Sequence, residues 1–239
     1  MPATGCLIRR ITTKTKAQAV KKAGLAREEV LITSKLPGRY HTYSKAVVAV
    51  QESLFRAGLD YYDLYLIHWP NPRVNLYVEA WQALIDARKW GLIRSIGVCN
   101  FLPEHIERLE KETDVLPSIN QIELHPYFSQ KAMSAWNHSK GIVTEAWSPL
   151  GRKKNDILLN PVIIELASAH GKSPVQIVLR WELQQGIVPI PKASTLVRQK
   201  ENLDIFDFVL SESEMDAMFA LDKPDGRVSG LDPAVYEEF

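Results

Sequence analysis

Six polar or aromatic residues stand where apolar runs stop: Lys35 in "TSKL", His68 in "LIHWP", Asn100 in "GVCNF", Gln121 and Glu123 in "INQIEL", and Trp147 in "TEAW". Any one of them alone fits a satisfied core or rim residue, because buried polar groups ordinarily find a hydrogen-bond partner. Together, a lysine, a histidine, an asparagine and a glutamine from four strands, with an aromatic plate beside them, suit a flat polar cofactor. A second cluster lies in "IPKASTLVRQKEN", where Lys192, Ser194, Thr195 and Arg198 cross a loop entering a helix. Backbone amides at a helix start, flanked by Lys and Arg, make an anion site. A capped helix with solvated basic residues is the plainer alternative.

Such residues need a scaffold that brings strand ends together. From residue 29 onward, β-rich runs alternate with amphipathic helical patterns. "EVLITSKL", "YYDLYLIHW", "IRSIGVCN", "SINQIEL", "GIVTEAW" and "IVPIPKA" are the expected strands. Helices are expected in "TYSKAVVAVQESLFRAGLD", "NLYVEAWQALIDARKWG" and "PEHIERLEKETD", then around 129–140, 160–185, 195–204 and 211–221. The alternation implies parallel strands with right-handed crossovers, and six successive units favour an α/β barrel, a (β/α)8 TIM barrel of which six strands are recognisable. In such a barrel chemistry sits at the C-terminal strand ends. An open doubly wound sheet competes, but no Gly-x-Gly-x-x-Gly turn is present to seat a dinucleotide.

Bulk properties narrow the partners. With 239 residues one large domain is expected over 1–239. Lys and Arg total 29 against 28 Asp and Glu, so no global field draws nucleic acid or an anionic membrane, and a small molecule is the expected partner. The two cysteines, Cys6 and Cys99, form neither a disulfide framework nor a metal-type cluster, which favours a reducing cytoplasm. Apolar runs stop well short of the roughly 18 residues a membrane span requires. The first 27 residues carry seven basic side chains and no acid before Glu28, a composition that also fits a transit peptide.

With these stretches in hand, the chain resembles the aldo-keto reductases, close to their bacterial 2,5-diketo-gluconate reductase branch. "TSKL", "GLDYYDLYLIHWP", "GLIRSIGVCNF", "NQIELHPY", "TEAWSPLG", "PIPKAS", "RQKENLDIFDF" and "RVSGLDP" match in order across about residues 19 to 239. The resemblance implies NADPH-dependent reduction of an aldehyde or ketone to an alcohol by a monomer. It implies that Asn100 and Gln121 hold the nicotinamide carboxamide and that Trp147 stacks on the ring. Ser148, Leu150 and Gly151 would line the pyrophosphate, Lys192 the 2′-phosphate, and Arg198, Glu201 and Asn202 the adenosine end, with Cys99 and Ser194 in the same lining. Thr195 stands where the branch carries an Arg, which should weaken the preference for NADPH over NADH.

The family's chemistry uses a Tyr acid, a Lys that lowers its pKa, an Asp paired with the Lys, and a His that orients the carbonyl. Lys35 matches the Lys and His68 the His, with Trp69 beside the substrate and Tyr127 and Phe128 on an aromatic rim. No Asp or Tyr precedes Tyr40, and Tyr40, His41 and Tyr43 are the nearest substitutes. Read one base out of frame, residues 2–16 are compatible with Gly-Tyr-Arg-x-x-Asp-Thr-Ala-x-x-Tyr-x-Asn-Glu, the family segment bearing both residues. The expectation is therefore an N-terminally truncated chain whose residues 1–18 are foreign to the family. The alternative function is an NADP(H)-binding chain without turnover.

Overall fold

The computed structural model describes Val20, residues 22–152 and residues 156–239. The first 18 residues, set apart above, lie outside the described residues. Two compact units divide the chain, one holding residues up to Asn120 together with Asp232–Phe239, the other Gln121–Leu231.

In the first unit β1 (Thr33–Leu36), β2 (Tyr62–Ile67) and β3 (Ile93–Cys99) are parallel neighbours in that order. All six residues of β2 are buried, as expected of a strand covered on both faces. The register sets Lys35 against Leu66 and Leu66 against Gly97, so these positions share one level across three strands. Helices cover the connections: α1 (Tyr43–Ala57), α2 (Tyr77–Lys89) and α3 (Pro103–Thr113). In α1 the buried residues Ala46, Ala49, Val50, Ser53, Leu54 and Ala57 recur at three- and four-residue intervals, which is one helical face. Gly58 ends that helix with φ 62°, a left-handed conformation that costs glycine little. Asp63, buried at the start of β2, accepts from Arg27 Nη2 at 2.6 Å and from the Ile32 N–H at 2.8 Å, which anchors the segment entering β1.

In the second unit β4 (Ile119–Glu123, from Gln121 onward), β5 (Val143–Trp147) and β6 (Val188–Pro189) follow in order. Helices α4 (Lys131–Ser139), α5 (Pro161–His170), α6 (Pro174–Gln184), α7 (Leu196–Leu203) and α8 (Glu212–Phe219) are joined to them. The helical region expected around 160–185 is two helices, because Gly171 turns left-handed at φ 60° and Ser173 starts α6 with a reciprocal cap to Gln176. The strand expected in "IVPIPKA" pairs at only two residues, Val188 with Glu145 and Pro189 with Ala146. Pro189 and Pro191 carry no backbone N–H, while the Ile190 N–H between them donates to the Ala146 carbonyl at 3.1 Å. Six strands are present among the described residues, as the sequence implies.

Gly97 tests the first unit's packing. A Cβ there would lie 2.7 Å from both the Ile119 carbonyl oxygen and Leu66 Cδ2. Gly97→Ala should lower stability by about 1–3 kcal/mol, read as a lower urea midpoint with an unchanged slope.

Candidate active site

The first unit places Lys35, His68 and Asn100 at or just beyond the C-terminal ends of three adjacent strands. The His68 N–H donates to the Leu36 carbonyl at 3.0 Å, carrying the ladder one residue past β2. Asn100 follows Cys99, the buried last residue of β3, and adopts φ 61°. Its Nδ2 donates to the His68 carbonyl at 3.0 Å. Trp69 is buried, with its ring 4.5 Å from that of Tyr236 in an edge-on arrangement.

The C-terminal segment supplies contacts that no motif announced. Glu238 Oε1 lies 2.6 Å from His68 Nδ1, and its Oε2 accepts from the Gly38 N–H at 2.9 Å. Asn71 clasps the same residue's backbone, donating from Nδ2 to the Glu238 carbonyl at 2.8 Å and accepting the Glu238 N–H at 3.1 Å. Gly38 is required for this approach, since a Cβ there would collide with the Asn71 amide and lie 2.5 Å from the Glu238 carbonyl oxygen. Burial works to raise the Glu238 pKa, but the His68 hydrogen bond and charge, the Gly38 N–H and His41 outweigh it, so the carboxyl lies below its ordinary range. Glu238 and His68 are 170 residues apart, which is why sequence spacing could not pair them.

The three substitutes for an acid near Lys35 differ in their surroundings. Tyr43 begins α1 and donates its hydroxyl to Asp86 Oδ2 at 3.1 Å; burial first, then that carboxylate, raises its pKa. Tyr40 carries the Arg39 guanidinium over its ring. His41 is buried and neither ring nitrogen has a hydrogen-bond partner among the described residues. Burial lowers its pKa to about 4, partly opposed by the charge of Glu238.

In the second unit Gln121 and Glu145 are buried neighbours, the Gln121 Nε2 donating to Glu145 Oε2 at 2.7 Å. Glu123, one of the strand-end residues singled out above, accepts the Val228 N–H at 2.5 Å and lies 3.2 Å from His125 Nε2, so it ties down a loop. Trp147 ends β5 half-buried, and Ser148 turns left-handed at φ 53°. The Gly151 N–H closes that turn on the Ser148 carbonyl at 2.7 Å, with Leu150 between them. After β6, Lys192, Ser194 and Arg198 are exposed around the start of α7, where Thr195 Oγ1 accepts the Arg198 N–H at 3.4 Å. Glu201 and Asn202 are half-buried on the same helix. An exposed Lys and Arg beside a helix N-terminus form a donor set that fits a phosphate, and a half-buried indole beside a tight turn fits a ring and the chain leading from it. Tyr127 is committed elsewhere, accepting from Asn160 Nδ2 at 3.1 Å with Lys223 over its ring, and Arg227 covers Phe128.

The pattern of the Aldo/keto reductase family matches residues 13–223, and the chain belongs to that family. It is 46% identical over 221 residues to 2,5-diketo-D-gluconic acid reductase B of Corynebacterium sp., covering 92% of this chain and 79% of the relative. It is 47% identical over 216 residues to methylglyoxal reductase DkgA of Escherichia coli strain K12, covering 90% and 77%. The structure of apo Gox0644 superposes with a TM-score of 0.88 at 40% identity, covering 95% of this chain and 81% of that one. A Gox0644 mutant in complex with NADPH gives 0.87 at 39% identity, covering 94% and 80%. An aldo-keto reductase of Bombyx mori in complex with NADP gives 0.82 at 38%, covering 89% and 74%.

The fold is therefore the (β/α)8-type barrel of the aldo-keto reductases, with six parallel strands. At family level the activity is NADPH-dependent reduction of carbonyl compounds to alcohols, and the cofactor is NADP(H). One expectation is corrected. The inference of truncation from the first 18 residues is not upheld: the alignments take in 92% and 95% of the chain, and the family match opens at residue 13, inside that stretch. A local mismatch to one motif was too narrow a basis for that inference.

The burial of His41 has a consequence for acid stability. The unfolded ring takes up a proton near 6.5 and the folded one only near about 4, so the neutral ring's contribution is complete above about pH 6.5 and is lost as pH falls toward about 4. His41→Leu should flatten the stability profile across that window, measured by urea unfolding at several pH values; an unchanged slope would count against this origin.

Proposed function

We propose that the chain reduces small carbonyl compounds of the α-dicarbonyl and keto-sugar type, with His68 pointing the carbonyl oxygen and Lys35 supplying the neighbouring cation. The observation that carries this reading is the placement of Lys35, His68 and Asn100 on three paired strands, tied by the Asn100 to His68 hydrogen bond. The relatives' names, a 2,5-diketo-D-gluconic acid reductase and a methylglyoxal reductase, support the substrate class.

In this reading Asn100 and Gln121 hold the carboxamide and Trp147 stacks on the nicotinamide, with Cys99 in the same lining. Ser148, Leu150 and Gly151 line the pyrophosphate. Lys192 and Ser194 meet the 2′-phosphate, and Arg198, Glu201 and Asn202 the adenosine end. Bound NADPH supplies the hydride. His68 orients the carbonyl, an ammonium at Lys35 favours the anionic form of any acid beside it, and buried Trp69 keeps water from the substrate side. A monomer in a reducing cytoplasm belongs to this reading; Cys99, buried and outside any disulfide, fits the compartment. Among the described residues no helix is long and apolar enough to cross a membrane.

His68→Ala and Lys35→Ala should each lower methylglyoxal-dependent NADPH oxidation by ~10² to 10⁴ while NADPH fluorescence still reports binding. Wild-type protein that binds NADPH without turning over any dicarbonyl would overturn the reading and favour a binding role, for which the lack of Asp and Tyr before Tyr40 speaks.

Lys192→Ala and Arg198→Ala should each weaken NADPH binding by about tenfold, the scale of a lost charge-assisted hydrogen bond. NADH binding should change far less with Lys192→Ala; equal loss for both cofactors would remove Lys192 from the 2′-phosphate.

A further inference from the structure

We propose that Glu238 is a positioning residue for His68: its carboxylate holds the imidazole in one orientation and fixes the hydrogen on Nδ1. The inference rests on the reading of His68 as the residue that points the carbonyl.

The geometry is specific. Glu238 Oε1 is 2.6 Å from His68 Nδ1, while Oε2 is held by the Gly38 N–H. The residue's own backbone is gripped twice by Asn71, whose left-handed φ of 48° aims its amide at the C-terminal segment. Tyr236 packs against Trp69, the neighbour of His68, so the segment is fastened on both sides of the contact. Only a residue without a Cβ fits at Gly38 beneath it. A carboxylate so held is ionised at neutral pH and has no hydrogen to give; it can only accept. Nδ1 must then carry the hydrogen.

The chemical consequence follows from the two ring nitrogens. With Nδ1–H engaged by Glu238, the neutral ring has a lone pair on Nε2 and cannot donate there to a carbonyl oxygen. His68 can donate through Nε2 only as imidazolium, and Glu238 is then its counter-ion. Among the described residues, the titratable groups that bear on the pair are His41, from the loop after β1, whose burial disfavours its charge, and Lys35, on the neighbouring strand at the level of Leu66. Glu237 is turned aside, accepting the Arg73 N–H at 2.7 Å.

The test is the tautomer of His68 in the full chain, read from imidazole ¹⁵N signals at alkaline pH and assigned by the signal lost in His68→Gln. Wild type should show the hydrogen on Nδ1; Glu238→Ala should move it to Nε2, the form a free imidazole favours, and Glu237→Ala should leave it in place. Hydrogen on Nε2 in wild type, or no change in Glu238→Ala, would overturn the proposal. So would an equal change in Glu237→Ala, which would assign the effect to seating of the whole segment. In turnover, Glu238→Ala should lower kcat by ~10- to 100-fold, the scale for losing a group that orients a functional histidine, with NADPH affinity retained. A rise in kcat would make the segment a block on His68 and not its support. Because the tautomer is read without substrate, the proposal can fail while carbonyl reduction stands, and the converse.

Discussion

Parallel pairing in register governs where the first unit's functional groups lie. Once Leu66 is fixed against Lys35 on one side and Gly97 on the other, the residues that follow each strand emerge together and nothing more is needed to gather Lys35, His68 and Asn100. The register is itself a product of burial. A one-residue slip in β2 would exchange its two faces, but every residue of that strand is enclosed, so both faces must match their surroundings. Gly97 matters for the same reason, being the point where β3 comes close to the Ile119 carbonyl.

Much of this was legible in the sequence. The apolar run Leu64–Ile67 in β2, the helix end at Gly58, and the order of strands and helices are local properties. The chain obeys them because local preference and global fold agree. Other features were not local. The composition of "IVPIPKA" was compatible with a full apolar strand, yet only Val188 and Pro189 pair with β5. Glu123 ended a strand as a site residue would, but its Oε1 serves both the Val228 N–H and His125. The match of Glu238 to His68 depends on the fold returning the end of the chain to β2, and no spacing rule reports that. The inference of truncation was drawn from the absent Asp and Tyr segment and the shifted reading of residues 2–16, whereas the alignments take in 92% and 95% of the chain.

The two clusters of candidate residues also differ in physical character. Around His68 the groups are at least half-buried, each hydrogen bond has a specific partner, and a misplaced charge would be costly. Around α7, Lys192 and Arg198 are exposed, and the field of such charges is one that salt can screen. In the proposed reading, discrimination by the first cluster is therefore geometric, whereas attraction by the second depends on ionic strength.

The prolines of β6 have a further effect. Successive N–H groups of a strand point to opposite edges, and the Ile190 N–H is directed inward to the Ala146 carbonyl. Pro189 and Pro191 thus occupy the two positions whose N–H groups would face away from β5. That edge is stripped of donors where an intruding strand from another molecule would seek them, so the two prolines make it a poor template for sheet-to-sheet association.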